Sequence, residues 1–352
     1  MSYTDGMMAL NLEMPARVPR TEYSVLGHPG LLSKVTGISV QADSDRETFQ
    51  KAQKIFLKEW NFDFMWSTDI LHQIFGEYYT DMGHASYAAG GSDFREVGQS
   101  KFRDEEDVLR FDPWEVFGQR DEAEIVDFLN HGYRERCNFW DDAVNMNGVY
   151  VTCMSGLIDL FGWDLLLTAA GVDPKGFGDV ANRYADWLMQ YIRALAKCDS
   201  PVIMVHDDIV WTEGPFLHPD WYRKYIFPNY RKYLKPLLEA GKKIMFTSDG
   251  NYTAFIDDIA ACGFHGFVME PGTDMAYIAE KYGKTHAFIG NADTRILLLG
   301  SKEEIRREVK RCMDIGKKCP GFFMAVGNHI PANTPVDHAL WYNEFYEEMA
   351  KR

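Results

Sequence analysis

Five apolar runs in the second half of this sequence each end in residues able to do acid–base or metal chemistry. They are His206-Asp207-Asp208 after VIMV, Asp249 after KIMFTS, Glu270 after GFVM, Asn291 with Asp293 after HAFIG, and Asn328-His329 after GFFMAVG. Successive side chains at a strand end point in different directions, so capping a turn accounts for one of His206, Asp207 and Asp208 but not for all three. Asp249 lies in TSDGN, where Gly250 can take the torsion of a tight turn and an Asx-turn is the plain alternative. A carboxylate ending a buried run, as Glu270 does, is costly unless paired or metal-bound. Asp249, Glu270 and His329 together would make an O/O/N ligand set open on one side, the pattern of catalytic zinc, with Asp293 or Glu77 as alternative ligands. His206, Asp207, Asp208 and Asp249 are the candidate catalytic residues.

What must position these residues is a repeated unit of apolar strand, polar tip and amphipathic helix. The expected strands are VYVTCMSG (149–156), PVIMVHDD (201–208), KKIMFTSDG (242–250), GFVMEP (266–271), HAFIGNAD (286–293) and GFFMAVGNH (321–329). Helices are expected from Leu157, through Tyr184 to Lys197, over roughly Pro219 to Ala240, and over Lys302 to Lys317. Such alternation implies parallel strands with crossover helices. In a closed barrel all the tips converge on one mouth, and the Gly-rich fingerprint of an open dinucleotide-binding sheet follows none of the strands. The fold class is therefore α/β, a single (β/α)8 TIM barrel with an N-terminal helical and irregular extension. Residues 1–147 would hold the extension and the first barrel units, and 148–352 the regular βα units carrying the site. In the first half, Asp43 to Trp60 and Asp121 to Asn138 show helical spacing, while Phe75 to Phe94 reads as a long loop or hairpin.

The chain has 352 residues, 46% hydrophobic and 25% charged, as expected of one large globular unit. A net charge of -15 argues against nucleic-acid binding. No apolar run approaching 20 residues is evident, so no membrane partner is expected, and the N-terminus lacks the order of a secretory signal. Cytoplasm is the expected location. Cys137, Cys153, Cys198, Cys262, Cys312 and Cys319 are scattered without CxxC spacing and are expected to be thiols. Met65, Trp66, Tyr79 and Trp211, with His84 and Asn291, are the candidate substrate contacts. Phe75, Tyr78, Tyr87 and Phe216 flank the same loops, and core packing is the alternative for all the aromatics. An apolar cleft with a few polar groups would suit a small aromatic ligand.

Several segments resemble the uroporphyrinogen-decarboxylase superfamily: MPARVPRTEY (14–23), HDDIVWTEGPFLHPDWYRKYIFPNYRKYLKPL (206–237), KKIMFTSDGN (242–251) and VGNHIPANTPVDH (326–338). The resemblance covers nearly the whole chain and implies the barrel. Decarboxylases of the group hold a polycarboxylate porphyrinogen with an Arg-rich N-terminal segment, where this chain has only Arg17 and Arg20. Thiol-methylating relatives carry a His-x-Cys zinc motif, whose place is taken here by Thr247-Ser248-Asp249, replacing soft ligands by harder ones. The sequence is most similar to methyltransferases of anaerobic O-demethylase systems. That resemblance implies zinc, a phenyl methyl ether substrate such as guaiacol, vanillate or veratrole, and a partner corrinoid (cobalamin) protein that accepts the methyl group. A homodimer is the oligomeric expectation. Methanol, a methylamine or a methyl thioether as donor, uroporphyrinogen decarboxylation, and a non-enzymatic corrinoid- or tetrapyrrole-binding module stand as alternatives.

Overall fold

A computed structural model describes residues 2–80 and 100–352, with the backbone of Ser86–Tyr87 and Asp93–Phe94. Its framework is a ring of parallel strands. These are β1 (Phe64–Met65), β2 (Val144–Asn145), β3 (Asn147–Val149), β4 (Val202–His206), β5 (Lys243–Ser248), β6 (Gly266–Met269), β7 (Ala287–Ile289) and β8 (Phe322–Phe323). A six-stranded sheet runs β8-β7-β6-β5-β4-β3, and β2, almost continuous with β3, pairs with β1. The ring is completed by the segment around Arg20, which bridges in parallel to Phe62 on one side and to Met324 on the other. The Thr21 N–H donates to Met324 and the Met324 N–H to Pro19, so this short extended segment closes a (β/α)8 barrel. Phe64, Met204, Met245, Val268, Ile289 and Phe323 fill its interior.

Helices cover the outside, and their ends follow local chemistry. Arg46–Glu59 begins at Asp45, whose carboxylate accepts the Thr48 N–H, and Glu122–Phe139 begins at Asp121 in the same way. The expected single helix from Pro219 to Ala240 is two, Pro219–Tyr225 and Phe227–Glu239, because Pro228 has no N–H to continue the ladder. The strand expected over 149–156 ends at Val149, and a helix starts at Cys153 rather than Leu157. The buried Asp207 carboxylate accepts the Met154 and Ser155 N–H groups at 2.6 and 2.7 Å and so starts that helix early. This helix, Cys153–Val172, is by length and composition apolar enough to cross a membrane, contrary to the sequence reading, but it lies largely buried and packs on the helix Pro174–Lys197. Within the expected loop or hairpin, Ser86–Tyr87 pairs antiparallel with Asp93–Phe94.

Candidate active site

The strand register brings the polar tips together. His206 pairs with Thr247 across β4 and β5, Thr247 with Val268 across β5 and β6, and Val149 with Val205, which sets Tyr150 beside His206. Tyr150, His206, Thr247 and Val268 line a cavity of about 330 Å³ at the C-terminal strand ends, with Tyr23, Trp66, Asp249 and His329 around it. Leu71, Met204, Val268 and Met269 supply apolar wall. Gly250 is needed where it stands. Its φ is +80°, and a Cβ there would lie 2.6 Å from the carbonyl oxygen of Trp211, so only glycine lets the Asp249 loop tuck against the hairpin Val210–Trp211 and Gly214–Pro215.

Asp208 is the hub. Its Oδ1 contacts His206 Nε2 at 2.9 Å and accepts the Asp249 N–H at 2.9 Å, and its Oδ2 accepts the Tyr150 hydroxyl at 2.7 Å. Burial alone would lower the His206 pKa, but the charge and hydrogen bond of Asp208, with Asp249 and Asp207 behind, push it up to about 9. Burial opposes the charge of Asp208, yet His206 and the donors above hold its carboxyl down at about 2. One ligand atom from each of His206, Asp208 and Asp249 lies within 4.8 Å of the others, the group of this kind found among the described residues. Zinc takes one imidazole nitrogen and two carboxylate oxygens at about 2.0–2.2 Å, and the cavity supplies its open side, so the donor set fits that metal.

This group differs from the expected Asp249, Glu270 and His329. Of those, only Asp249 joins it. Glu270 accepts the Gly250 N–H at 2.7 Å on one oxygen and the Asn328 amide on the other, so it holds the Asp249 turn in place. His329 lines the cavity with Nδ1 against Ser24 Oγ at 2.5 Å, and burial, then the nearby His206, lower its pKa. Of the expected alternative ligands, Asp293 is paired with Arg295 and Glu77 with Lys101. Asp207 is wholly buried. Besides starting the helix at Cys153 it accepts the Tyr230 hydroxyl at 2.5 Å, so unlike the other three expected catalytic residues it takes no place in the His206, Asp208 and Asp249 group. Burial nevertheless pushes its pKa up to about 6 against those three donors.

Of the expected substrate contacts, Trp66 lines the cavity and stacks on Tyr23 at 4.6 Å. Met65 is buried in the core, Tyr79 stacks on His72, and Trp211 stands half exposed beside Trp163 and Phe216. The buried Asn291 bonds the Glu270 and Thr273 carbonyls and accepts Arg311, a structural role. His84 and the side chain of Tyr87 lie outside the described residues. Sequence reasoning missed Tyr150 and Tyr23. Tyr150 directly follows the strand Asn147–Val149, whose two polar or small residues, Asn147 and Gly148, give it no apolar run of the kind that precedes His206.

Residues 152–349, more than half of the chain, match the model of the uroporphyrinogen decarboxylase (URO-D) family. The chain belongs to that family. Among curated proteins it is similar to the uroporphyrinogen decarboxylase of Syntrophotalea carbinolica, 27% identical over 168 residues covering 48% of this chain and 47% of that one. The uroporphyrinogen decarboxylase of Geobacter sulfurreducens is 24% identical over 164 residues, 47% of this chain and 46% of the relative. The chain thus spans about half the length of the curated relatives it matches. Among solved structures it resembles a methyltransferase from Methanosarcina mazei with a TM-score of 0.65 and 16% identity, covering 98% of both chains. That likeness shows that this URO-D family member shares the barrel over its whole length.

Proposed function

We propose that this URO-D family protein is a zinc-dependent methyltransferase that takes the methyl group from a phenyl methyl ether and passes it to the Co(I) of a corrinoid protein. The observation that carries the reading is the N/O/O group of His206, Asp208 and Asp249 beside a ring-sized cavity at the barrel mouth. His206, Asp208 and Asp249 would hold the metal. Bound there, zinc supplies a Lewis acid for the ether oxygen, where phenolate charge develops as the methyl group leaves. The protein's own part is placement. Tyr150 and the Asp249 N–H fix Asp208, Glu270 fixes the turn that carries Asp249, and the stacked Tyr23 and Trp66 give a flat wall for an aromatic ring. Holding the ring so that its methyl group faces the mouth, where the partner's corrinoid would dock, is a large share of the rate for a bimolecular transfer.

The names of the curated relatives favour uroporphyrinogen decarboxylation as a second reading. Against it stand the two N-terminal arginines. Arg17 is tied to Asp63 at 2.5 Å and to Tyr346, and Arg20 is wholly buried with Glu22 at 3.0 Å and against the Trp60 ring. Neither is available to substrate carboxylates. The test is an anaerobic assay of the full chain with reduced corrinoid protein and 2-methoxyphenol. Catechol release with methylation of the corrinoid is expected. Turnover of uroporphyrinogen or of methanol, with none of the ether, would sink the reading.

A further inference from the structure

Three hydroxyl residues between β3 and the helix Cys153–Val172, namely Tyr150, Thr152 and Ser155, direct their side chains at the end of β4. Thr152 stands at the N-cap of that helix, where a threonine ordinarily accepts one of the first free N–H groups with its side chain. It makes no such bond. Its hydroxyl donates instead to the carbonyl of His206. The capping task passes to Asp207, just past β4, whose carboxylate accepts the Met154 and Ser155 N–H groups at 2.6 and 2.7 Å. Ser155 then reaches back to the same strand end. Its Oγ accepts the Asp208 N–H at 2.7 Å and lies 3.4 Å from Asp208 Oδ2.

The exchange is reciprocal. The side chain of Asp207 fixes the main chain of Ser155, and the side chain of Ser155 fixes the main chain of the next residue, Asp208. Thr152 and Ser155 are both buried, so water does not compete for either bond. A threonine capping its own helix would satisfy the helix start with no contact to β4, so the helix alone does not call for this arrangement. What the arrangement adds is a carboxylate held in one orientation. Tyr150 and Ser155 meet Asp208 on Oδ2, at 2.7 and 3.4 Å, while His206 Nε2 and the Asp249 N–H meet it on Oδ1, each at 2.9 Å. The last torsion of an aspartate is broad, so its two oxygens are told apart only by their partners.

We infer that Thr152 and Ser155 are positioning residues for the group His206, Asp208 and Asp249: Thr152 fixes the main chain of His206, and Ser155, with Tyr150, turns Oδ1 of Asp208 toward His206 and Asp249. This rests on reading those three residues as zinc ligands, and it deepens that reading by naming the Asp208 oxygen that faces the metal. Neither Thr152 nor Ser155 is among the described residues that line the cavity, so each acts through the residue it holds.

The test is metal binding, which does not depend on turnover. The full chain, freed of metal by a chelator, is titrated with zinc against a chromogenic chelator. It is also titrated with cobalt(II), whose visible absorption follows the number and arrangement of its ligand atoms. Ser155→Ala removes one hydroxyl, and Thr152→Val removes the other while keeping its shape. Each should fold by circular dichroism, bind zinc about tenfold more weakly and shift the cobalt(II) absorption. Ser155→Thr returns the hydroxyl and should bring both readings back toward those of the unaltered protein. A lower urea midpoint in Ser155→Ala and Thr152→Val, with zinc affinity and cobalt(II) spectrum unchanged, overturns the inference, because a role in folding alone moves only the first. Absence of zinc binding in the unaltered protein overturns it together with the metal assignment. Weakened binding in the variants, without methyl transfer from 2-methoxyphenol to a corrinoid protein, upholds the inference and defeats the proposed reaction.

Discussion

The ring of Tyr150 lies 4.2 Å from the ring of His206, and the same tyrosine donates its hydroxyl to Asp208, the partner of that histidine, at 2.7 Å. Tyr150 therefore touches two of the three proposed ligands from one position on the sheet. Groups that orient metal ligands in this way alter metal affinity by about 10–100-fold. Tyr150→Phe keeps the stacking and removes one donor. It should fold normally by circular dichroism and bind zinc roughly tenfold more weakly in a chelator competition titration.

Metal content separates the two possible ligand sets. His206→Ala and Asp249→Ala should each bring zinc in the purified protein to well below one equivalent. Glu270→Gln keeps a polar group opposite Gly250 and Asn328 and should retain close to one equivalent, with slower transfer because the Asp249 turn is less well held. Plasma emission analysis of the three variants decides between them. Loss of zinc in Glu270→Gln with retention in His206→Ala would restore the O/O/N set of Asp249, Glu270 and His329.

The barrel was legible because each strand from β4 onward is a short apolar run ended by polar residues, and its pattern needs only the periodicity of one segment. The closing segment around Arg20 was not. It makes bridges to Phe62 and Met324 instead of a run of ladder pairs, and its apolar content is too small to read as a strand. At the site, the strand-end rule located His206, Asp208 and Asp249 correctly as neighbours at one mouth. It could not tell a proposed ligand from a residue outside that group, because Asp207, Asp208 and Glu270 have the same sequence signature. What separates them is which backbone N–H groups each one meets: Asp207 faces the start of the helix at Cys153, and Glu270 faces Gly250. Those contacts join residues about 20 to 50 positions apart and leave no local trace.

The His206–Asp208 pair also makes the metal-free protein sensitive to alkali. The pKa of His206, raised to about 9 from 6.5 by Asp208 against the cost of burial, means that the folded state binds this proton more tightly than the unfolded chain. The resulting stabilisation is fully present below pH 6.5 and is lost as pH rises through about 9. Asp208, depressed to about 2, gives the acid side of the same interaction, present above 3.8 and lost as pH falls toward 2. Urea unfolding of zinc-free protein should therefore show stability declining between pH 6.5 and 9, by up to roughly 3 kcal/mol. His206→Gln should flatten that slope. Zinc must displace the same proton, so its affinity should climb over the same interval.

Asp207 provides the sharpest contrast between a buried acid that supports the site and one that reacts in it. One oxygen takes the two N–H groups of Met154 and Ser155, the other takes the Tyr230 hydroxyl, and no surface of the side chain reaches the cavity. Asn in its place retains a carbonyl oxygen for the helix start, and its amide can donate to the Tyr230 oxygen once the hydroxyl turns. Ala leaves three donors buried without an acceptor, at about 1–3 kcal/mol each before any relaxation. Asp207→Asn should then keep methyl-transfer activity within about threefold of the unaltered protein, with a modest loss of stability. Asp207→Ala should lower the urea midpoint severely or prevent folding. A well-folded Asp207→Asn protein with activity reduced a thousandfold would instead give Asp207 a direct part in the reaction, because the substitution changes its charge and proton while preserving its shape.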